Sequence, residues 1–317
     1  MRQKRIICIW MVLVSLLGLM GCAGKEDLPR RNSESAEQPQ GESQGEPESV
    51  YQAPAFADSA FHEKQAEGSD HAMVDLSCVN QGYVAVSATS ANRLKFLVIK
   101  GDVTYNYDID SGGTPSVFPI QGGDGDYEFQ VMENVTDTKY AQVYATSCTV
   151  QLEDEFQPFL RPSDYVNYTK DSACVKKAKE LAQEAGDALG VVSSVFSFIC
   201  DTVTYDQEKA STVQSGYLPD PDETMSTGKG ICFDYAALTA AMLRSQGIPT
   251  KMVFGNVSPD DLYHAWNMFY TEETGWVTAK YEVKGGEWNR LDLTFSANGT
   301  DLNFIGDGSN YSDVFFY

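Results

Sequence analysis

Residues 230–236 read GICFDYA. The run they open, ICFDYAALTAAMLRSQG from Ile231 to Gly247, is rich in Ala and Leu. It has apolar residues at 231, 235, 238, 242 and 243, and it stops at Gly247 with Pro249 just beyond. This spacing predicts a helix with a glycine C-terminus, which puts Cys232 in the first turn. There the unpaired backbone N–H groups and the positive end of the helix dipole stabilise a thiolate, the nucleophilic form. One cysteine beside a buried helix is more often an inert core thiol, so the reading depends on what else the chain supplies.

The chain has three histidines. His62 and His71 lie in or at the edge of a polar segment, which leaves His264 as the one histidine of the C-terminal half. It sits in LYHAWNMFY (262–270), an alternating aromatic run that reads as a strand with His264 and Trp266 on one face. A single histidine makes no His-based metal site, which disfavours zinc hydrolase chemistry, and no cofactor is expected. Asp292 follows in EWNRLDLTF (287–295), on a further β-like run after GWVTAKYEV. A cysteine nucleophile needs a base to take its proton, and the imidazole needs a carboxylate to fix its tautomer. Each residue alone has an ordinary structural explanation; the chain supplies all three in the order Cys, His, Asp.

Four blocks in that order, GICFDYA, GIPTKMVFG (247–255), YHAWN (263–267) and LDLTF (291–295), resemble the transglutaminase-like domain, a papain-like α+β fold. The family pattern is Gly-x-Cys at a helix start, Gly-Ile-Pro after that helix, a His-Ala-Trp strand and an Asp-x-Thr strand. Leu293 stands where the family often has proline between Asp and Thr. The resemblance spans residues from about 195 to 296 and implies Cys232 as nucleophile, His264 as base and Asp292 as its orienter. Gly230 is expected to let the backbone approach the acyl carbonyl. The Cys232 amide is expected as one oxyanion donor, with Gln214 and Tyr217 as candidates for the second. Trp266 either walls the acyl or amine site or is packing.

The implied reaction passes through a thioester. Attack by water gives a peptidase or amidase, and attack by an amine gives a cross-linker; the substrate is a protein or peptide, cell-wall peptide among the candidates. The alternative from another class is a non-enzymatic surface adhesin or assembly scaffold that uses an inactive transglutaminase-like fold. A monomer is expected.

Upstream, SACVKKAKELAQEAG (172–186) and VVSSVFSFICDTVTYD (191–206) show helical spacing. The Pro-, Gly- and Asp-rich stretch 206–229 reads as a long loop. Between Met73 and Glu153 the period falls to two in YVAVSAT, RLKFLVIK, YEFQVME and YAQVYATSCTVQL, which predicts an all-β immunoglobulin-like sandwich over residues 71–160 ahead of the transglutaminase-like domain at 161–317. The turns DIDSGG and GGDGD match no calcium-loop spacing and fit tight turns. Cys78 with Cys148, and Cys174 with Cys200, are open as disulfides or free thiols.

At the N-terminus, Arg2, Lys4 and Arg5 precede an apolar run ending LMGC. Residues 1–21 read as a signal peptide, and the pattern resembles a bacterial lipobox in which Cys22 carries the lipid. Residues 22–70, rich in Glu, Gln, Ser and Pro, read as a disordered tether. The expectation is a lipoprotein held at the cell surface by its N-terminal lipid. The net charge of −22 becomes −25 without the three signal cations. Such a chain has no basic footprint, so no nucleic-acid partner is expected.

Overall fold

The period-two stretches fold as two four-stranded antiparallel sheets. The computed structural model describes residues 50–278, 281–299 and 308–317; the expected signal peptide, Cys22 and residues 23–49 lie outside these. One sheet has the order β1-β2-β3-β6, from β1 (Glu67–Ser69), β2 (Ala72–Asp75), β3 (Tyr83–Ala88) and β6 (Ser116–Pro119). The other runs β5-β4-β7-β8, from β4 (Leu94–Lys100), β5 (Val103–Ile109), β7 (Gly125–Thr136) and β8 (Lys139–Val150). In β4 the pleat turns Leu94, Phe96 and Val98 inward. Phe96 stacks on Phe129 of its own sheet at 6.1 Å and on Phe118 of the other at 5.5 Å, so one aromatic layer joins the two faces. Asp110 accepts hydrogen bonds from the amides of Gly112 and Thr114, both at 2.9 Å, the local turn chemistry that its sequence suggests.

The C-terminal half holds six helices among the described residues: α1 (Ala173–Ala182), α2 (Ala188–Thr202), α3 (Gln207–Thr212), α4 (Pro221–Thr227), α5 (Cys232–Ser245) and α6 (Leu293–Ala297). Its main antiparallel sheet has the order β15-β12-β11-β16, from β11 (Thr250–Val257), β12 (Leu262–Thr271), β15 (Glu287–Leu291) and β16 (Tyr311–Phe316). The short strands β9 (Thr204–Tyr205) and β10 (Lys229–Gly230) pair in parallel, and β13 (Gly275–Thr278) pairs with β14 (Tyr281–Val283). α5 is the spine of this half: every residue from Asp234 to Ser245 is buried. A helix enclosed on all sides needs apolar or small residues all round rather than on one stripe, which is why its Ala-rich sequence packs against the sheet and the other helices alike.

Three expectations are corrected. The stretch 206–229 is not an irregular loop. Asp206 caps α3 by accepting from Lys209 N at 2.8 Å, and Asp220 caps α4 ahead of Pro221 at its first position. The Asp and Pro residues read as breakers are helix starts. The chain expected to be free tether up to residue 70 lies on the body from residue 50 onward. Tyr51 donates its amide to Ala185 O at 2.7 Å and its hydroxyl to Gln246 O at 2.8 Å. Phe56 packs edge-on against Tyr168, and Pro54 occupies the space where a Cβ on Gly247 would sit. Asp292, expected within a β-like run, follows the end of β15 and caps α6.

Across the expected boundary at residues 160–161 the apolar core is continuous. Tyr107 of β5 meets Tyr165 at 5.5 Å, and Tyr165 meets Phe233 of α5 at 5.7 Å and Tyr317 at 4.5 Å. Asp164 also pairs with Val117 of β6 through both its amide and its carboxylate. The five described cysteines, Cys78, Cys148, Cys174, Cys200 and Cys232, are free thiols. No helix among the described residues is long and apolar enough to cross a membrane.

Candidate active site

Helix α5 begins at Cys232 because the residue three from its cap closes the turn. Asp234 reaches back to accept from the Ile231 amide at 2.8 Å, the carboxylate half of a capping box. That carboxylate is fully buried, and it is also held by Lys209 Nζ at 2.8 Å and by the Tyr217 hydroxyl. A buried carboxylate without partners would be expensive; here three donors from the α3 region and the cap satisfy it, tying α3 and the chain after it to the start of α5. Gly230 lies against this network. A Cβ there would sit 2.6 Å from Asp234 Cβ and 3.3 Å from Thr224 Cγ2. Packing inside the fold is by itself enough to require a glycine here.

His264 stands in β12 opposite Gly255 of β11. A side chain at Gly255 would meet Ser312 O and the Trp266 ring, so its absence lets β16 and Trp266 close over the imidazole strand. His264 Nε2 lies 2.8 Å from Asp292 Oδ2, and both side chains are almost fully buried. With Nε2 engaged, Nδ1 is left on the other side of the ring, and Cys232 is near enough to bear on the ring's charge. Burial pulls the imidazole down. The hydrogen bonds to Asp292 and Cys232 and their negative charges outweigh it and raise His264 to about 9.

The orienting carboxylate is itself fixed. Asp292 Oδ1 accepts from the Phe295 amide at 3.0 Å, and Oδ2 accepts from the Tyr311 hydroxyl at 2.9 Å. The Phe295 ring stacks on His264 at 4.5 Å. Tyr311 and Phe295 escape sequence reasoning: nothing local marks Tyr311, which comes from β16 at the far edge of the sheet. Asp234 had a readable signal, an acidic residue three positions after a helix cap.

The other suggested residues divide clearly. Gln214 Nε2 donates to Thr212 O at 2.7 Å, and the Tyr217 hydroxyl is committed to Asp234. Trp266 is buried, stacks on His264 at 6.0 Å and meets Tyr311 edge-on at 4.9 Å, so it is packing behind the histidine. Burial first and the Cys232 charge second push up the phenol of Tyr263, and the same order of causes acts on Tyr205. Both rings are therefore within electrostatic reach of the sulfur.

A cavity of about 280 Å³ opens beside His264, walled by Tyr205, Gln207, Leu262, Thr294, Phe295 and Asn298. Among the described residues no group of three or more His, Cys, Asp or Glu is placed to hold a metal ion.

Residues 175–280 match the transglutaminase-like superfamily. The matched segment of this transglutaminase-like domain contains Cys232 and His264 and stops short of Asp292. A curated relative, UPF0252 protein MJ1282 of Methanocaldococcus jannaschii, is 30% identical over 86 residues, or 25% of this chain, and the chain spans 24% of that relative's length. Among solved structures, a candidate cysteine protease from Cytophaga hutchinsonii shares 17% identity at a TM-score of 0.38, over 73% of each chain. LapG from Legionella pneumophila shares 15% at 0.28, over 44% of this chain and 74% of its own. Red sea bream transglutaminase shares 14% at 0.27, over 67% of this chain and 48% of its own.

Proposed function

We infer that the transglutaminase-like domain is a thiol-dependent enzyme that cleaves an amide bond of a protein or peptide through an acyl-Cys232 intermediate. One observation carries the reading: His264 Nε2 is held 2.8 Å from Asp292 Oδ2 in a buried site beside an open cavity, close enough to Cys232 for the sulfur's charge to act on the ring. Cys232 gives its proton to His264 Nδ1, and Sγ attacks the acyl carbon. As the first helical residue, Cys232 has an amide with no intrahelical acceptor, so this N–H is available to the developing oxyanion. When the C–N bond breaks, the leaving nitrogen takes the proton from His264. A water molecule then attacks the thioester, returns a proton to the imidazole and frees the sulfur, so that one amide and one water become an acid and an amine. Asp292 keeps the ring turned toward the sulfur throughout. The mature chain carries this site at the cell surface, held by a lipid on Cys22; the lipobox-like start and the acidic, polar stretch after it support this part.

The test is alkylation by iodoacetamide, followed residue by residue by mass spectrometry. Burial pushes the Cys200 thiol up to about 12 and raises Cys174 and Cys148 as well. These three stay protonated and slow at neutral pH. Cys232 is expected to label first, and His264→Ala is expected to slow that labelling selectively. Uniform labelling of the cysteines, or activity that survives Cys232→Ala, would leave the domain as a binding scaffold.

A further inference from the structure

The cavity beside His264 has a direction in the reaction, and this inference rests on the catalytic reading above. The imidazole hands its proton to the departing nitrogen, so the space next to it holds the leaving group during acylation. By microscopic reversibility the same space receives the attacking nucleophile during deacylation. What lines that space therefore decides both which amine departs and which nucleophile enters.

Among the described residues the lining contains no carboxylate, although the chain has 45 Asp and Glu residues. Its walls are the rings of Tyr205 and Phe295 and the aliphatic Leu262, with the neutral amides of Gln207 and Asn298 and the hydroxyl of Thr294. The ionisable groups among these residues are the Tyr205 phenol and the His264 imidazole. Leu262 is 50% exposed at the rim, an aliphatic side chain left uncovered two residues before the base. The volume of about 280 Å³ lies just below the ~300–1,000 Å³ of small-molecule sites and suits one side chain. A lysine ammonium placed there would lose its water, find no carboxylate among the described lining residues and face the imidazolium. The carboxylates of Asp206, Glu208 and Glu223 line a separate cavity that none of Cys232, His264 and Asp292 enters.

We propose that this cavity is the leaving-group pocket and takes an uncharged, apolar side chain, so that the enzyme hydrolyses the bond before such a residue and does not pass the acyl group to lysine. The bonds exchanged are those of the hydrolysis above, with water as the only co-reactant.

The experiment incubates the full chain, and its Cys232→Ala variant, with a proteome-derived peptide mixture, and sequences the new amino termini by mass spectrometry. A parallel incubation adds monodansylcadaverine as an amine acceptor. New termini dependent on Cys232 are expected to begin with Leu, Ile, Val, Met or Phe, with Lys and Arg disfavoured roughly tenfold or more, and no dye is expected to be incorporated above the Cys232→Ala background. Leu262→Glu, at an exposed position that leaves the core untouched, is expected to raise cleavage before Lys and Arg and to lower cleavage before the apolar residues. Cys232-dependent cleavage with unselective or basic new termini would overturn the pocket assignment while the catalytic reading stands, and so would dye incorporation exceeding hydrolysis. An absence of any Cys232-dependent turnover would overturn both.

Discussion

The Tyr311 hydroxyl donates to Asp292 Oδ2 at 2.9 Å, the same oxygen that His264 Nε2 approaches at 2.8 Å. Strand β16 thereby fixes the group that fixes the base. Tyr311 is in turn held by the Trp266 ring and by the Arg290 guanidinium 4.5 Å above its own ring, and Arg290 pairs with Asp313 on the same strand at 3.1 Å. Tyr311→Phe keeps the ring packing and deletes one donor to a charged acceptor, an interaction worth roughly 1.5–3 kcal/mol. The expected result is a roughly tenfold lower kcat with little change in KM. An unchanged kcat in steady-state assays would count against the positioning role.

With His264 raised to about 9, the imidazolium needed to protonate the leaving nitrogen persists well above neutrality. Activity is expected to fall on the alkaline side with an apparent midpoint near that value. Asp292→Asn removes charge and the main hydrogen-bonding partner, leaving burial to pull the ring down, so the alkaline limb of kcat/KM is expected to move to lower pH. A limb that stays in place would assign it to another group.

The same shift carries a stability consequence. A folded-state value above the ordinary 6.5 means that protonation stabilises the fold. The contribution is complete below about 6.5 and is lost as the pH rises through about 9, on the order of 3 kcal/mol. Urea unfolding at pH 6 and pH 10 is expected to show a larger loss for the wild type than for His264→Gln. Equal losses would remove His264 as the cause.

Gly230→Ala is expected to displace the start of α5, because the new Cβ overlaps Asp234 Cβ, which is backed by Lys209 and Tyr217. Overpacking of this kind costs roughly 1–3 kcal/mol, and since the strained turn carries Cys232, alkylation of that thiol is expected to slow along with a lower unfolding midpoint. Wild-type stability and labelling would show that the turn absorbs the methyl freely.

Cys22→Ala is expected to release the protein to the medium or to leave an unprocessed precursor in the membrane. Cell fractionation with an antibody to the folded part reads the result; processing and membrane retention equal to wild type would end the lipoprotein proposal.

Some of this was legible from residue order alone. Period-two alternation fixes which side chains of β4 face inward, because strand geometry is local. The Ala- and Leu-rich run bounded by Gly247 fixes α5, and so puts Cys232 at a helix start, because helix hydrogen bonds span only four residues. The candidate triad was legible as three chemical types in a specific order. Sequence by itself also gave the acidic charge and the apolar, cysteine-ended N-terminus.

Tertiary structure decided the rest, wherever the partner of a residue is distant in sequence. That His264 and Asp292, 28 residues apart, share a hydrogen bond follows from β12 and β15 lying side by side in the sheet. That Tyr311 completes the pair follows from β16 closing the opposite edge beside β11. Asp206, Asp220 and Pro221 read as loop formers until the helices they cap are in place, since one residue type serves both ends. The packing of Gly230 against Asp234 is visible only once α5 is in place, and residues 50–66 appeared to be free tether until their few aromatic and proline side chains met the body. A polar composition states that a segment cannot build its own core; only the folded chain states that it can lie on another's.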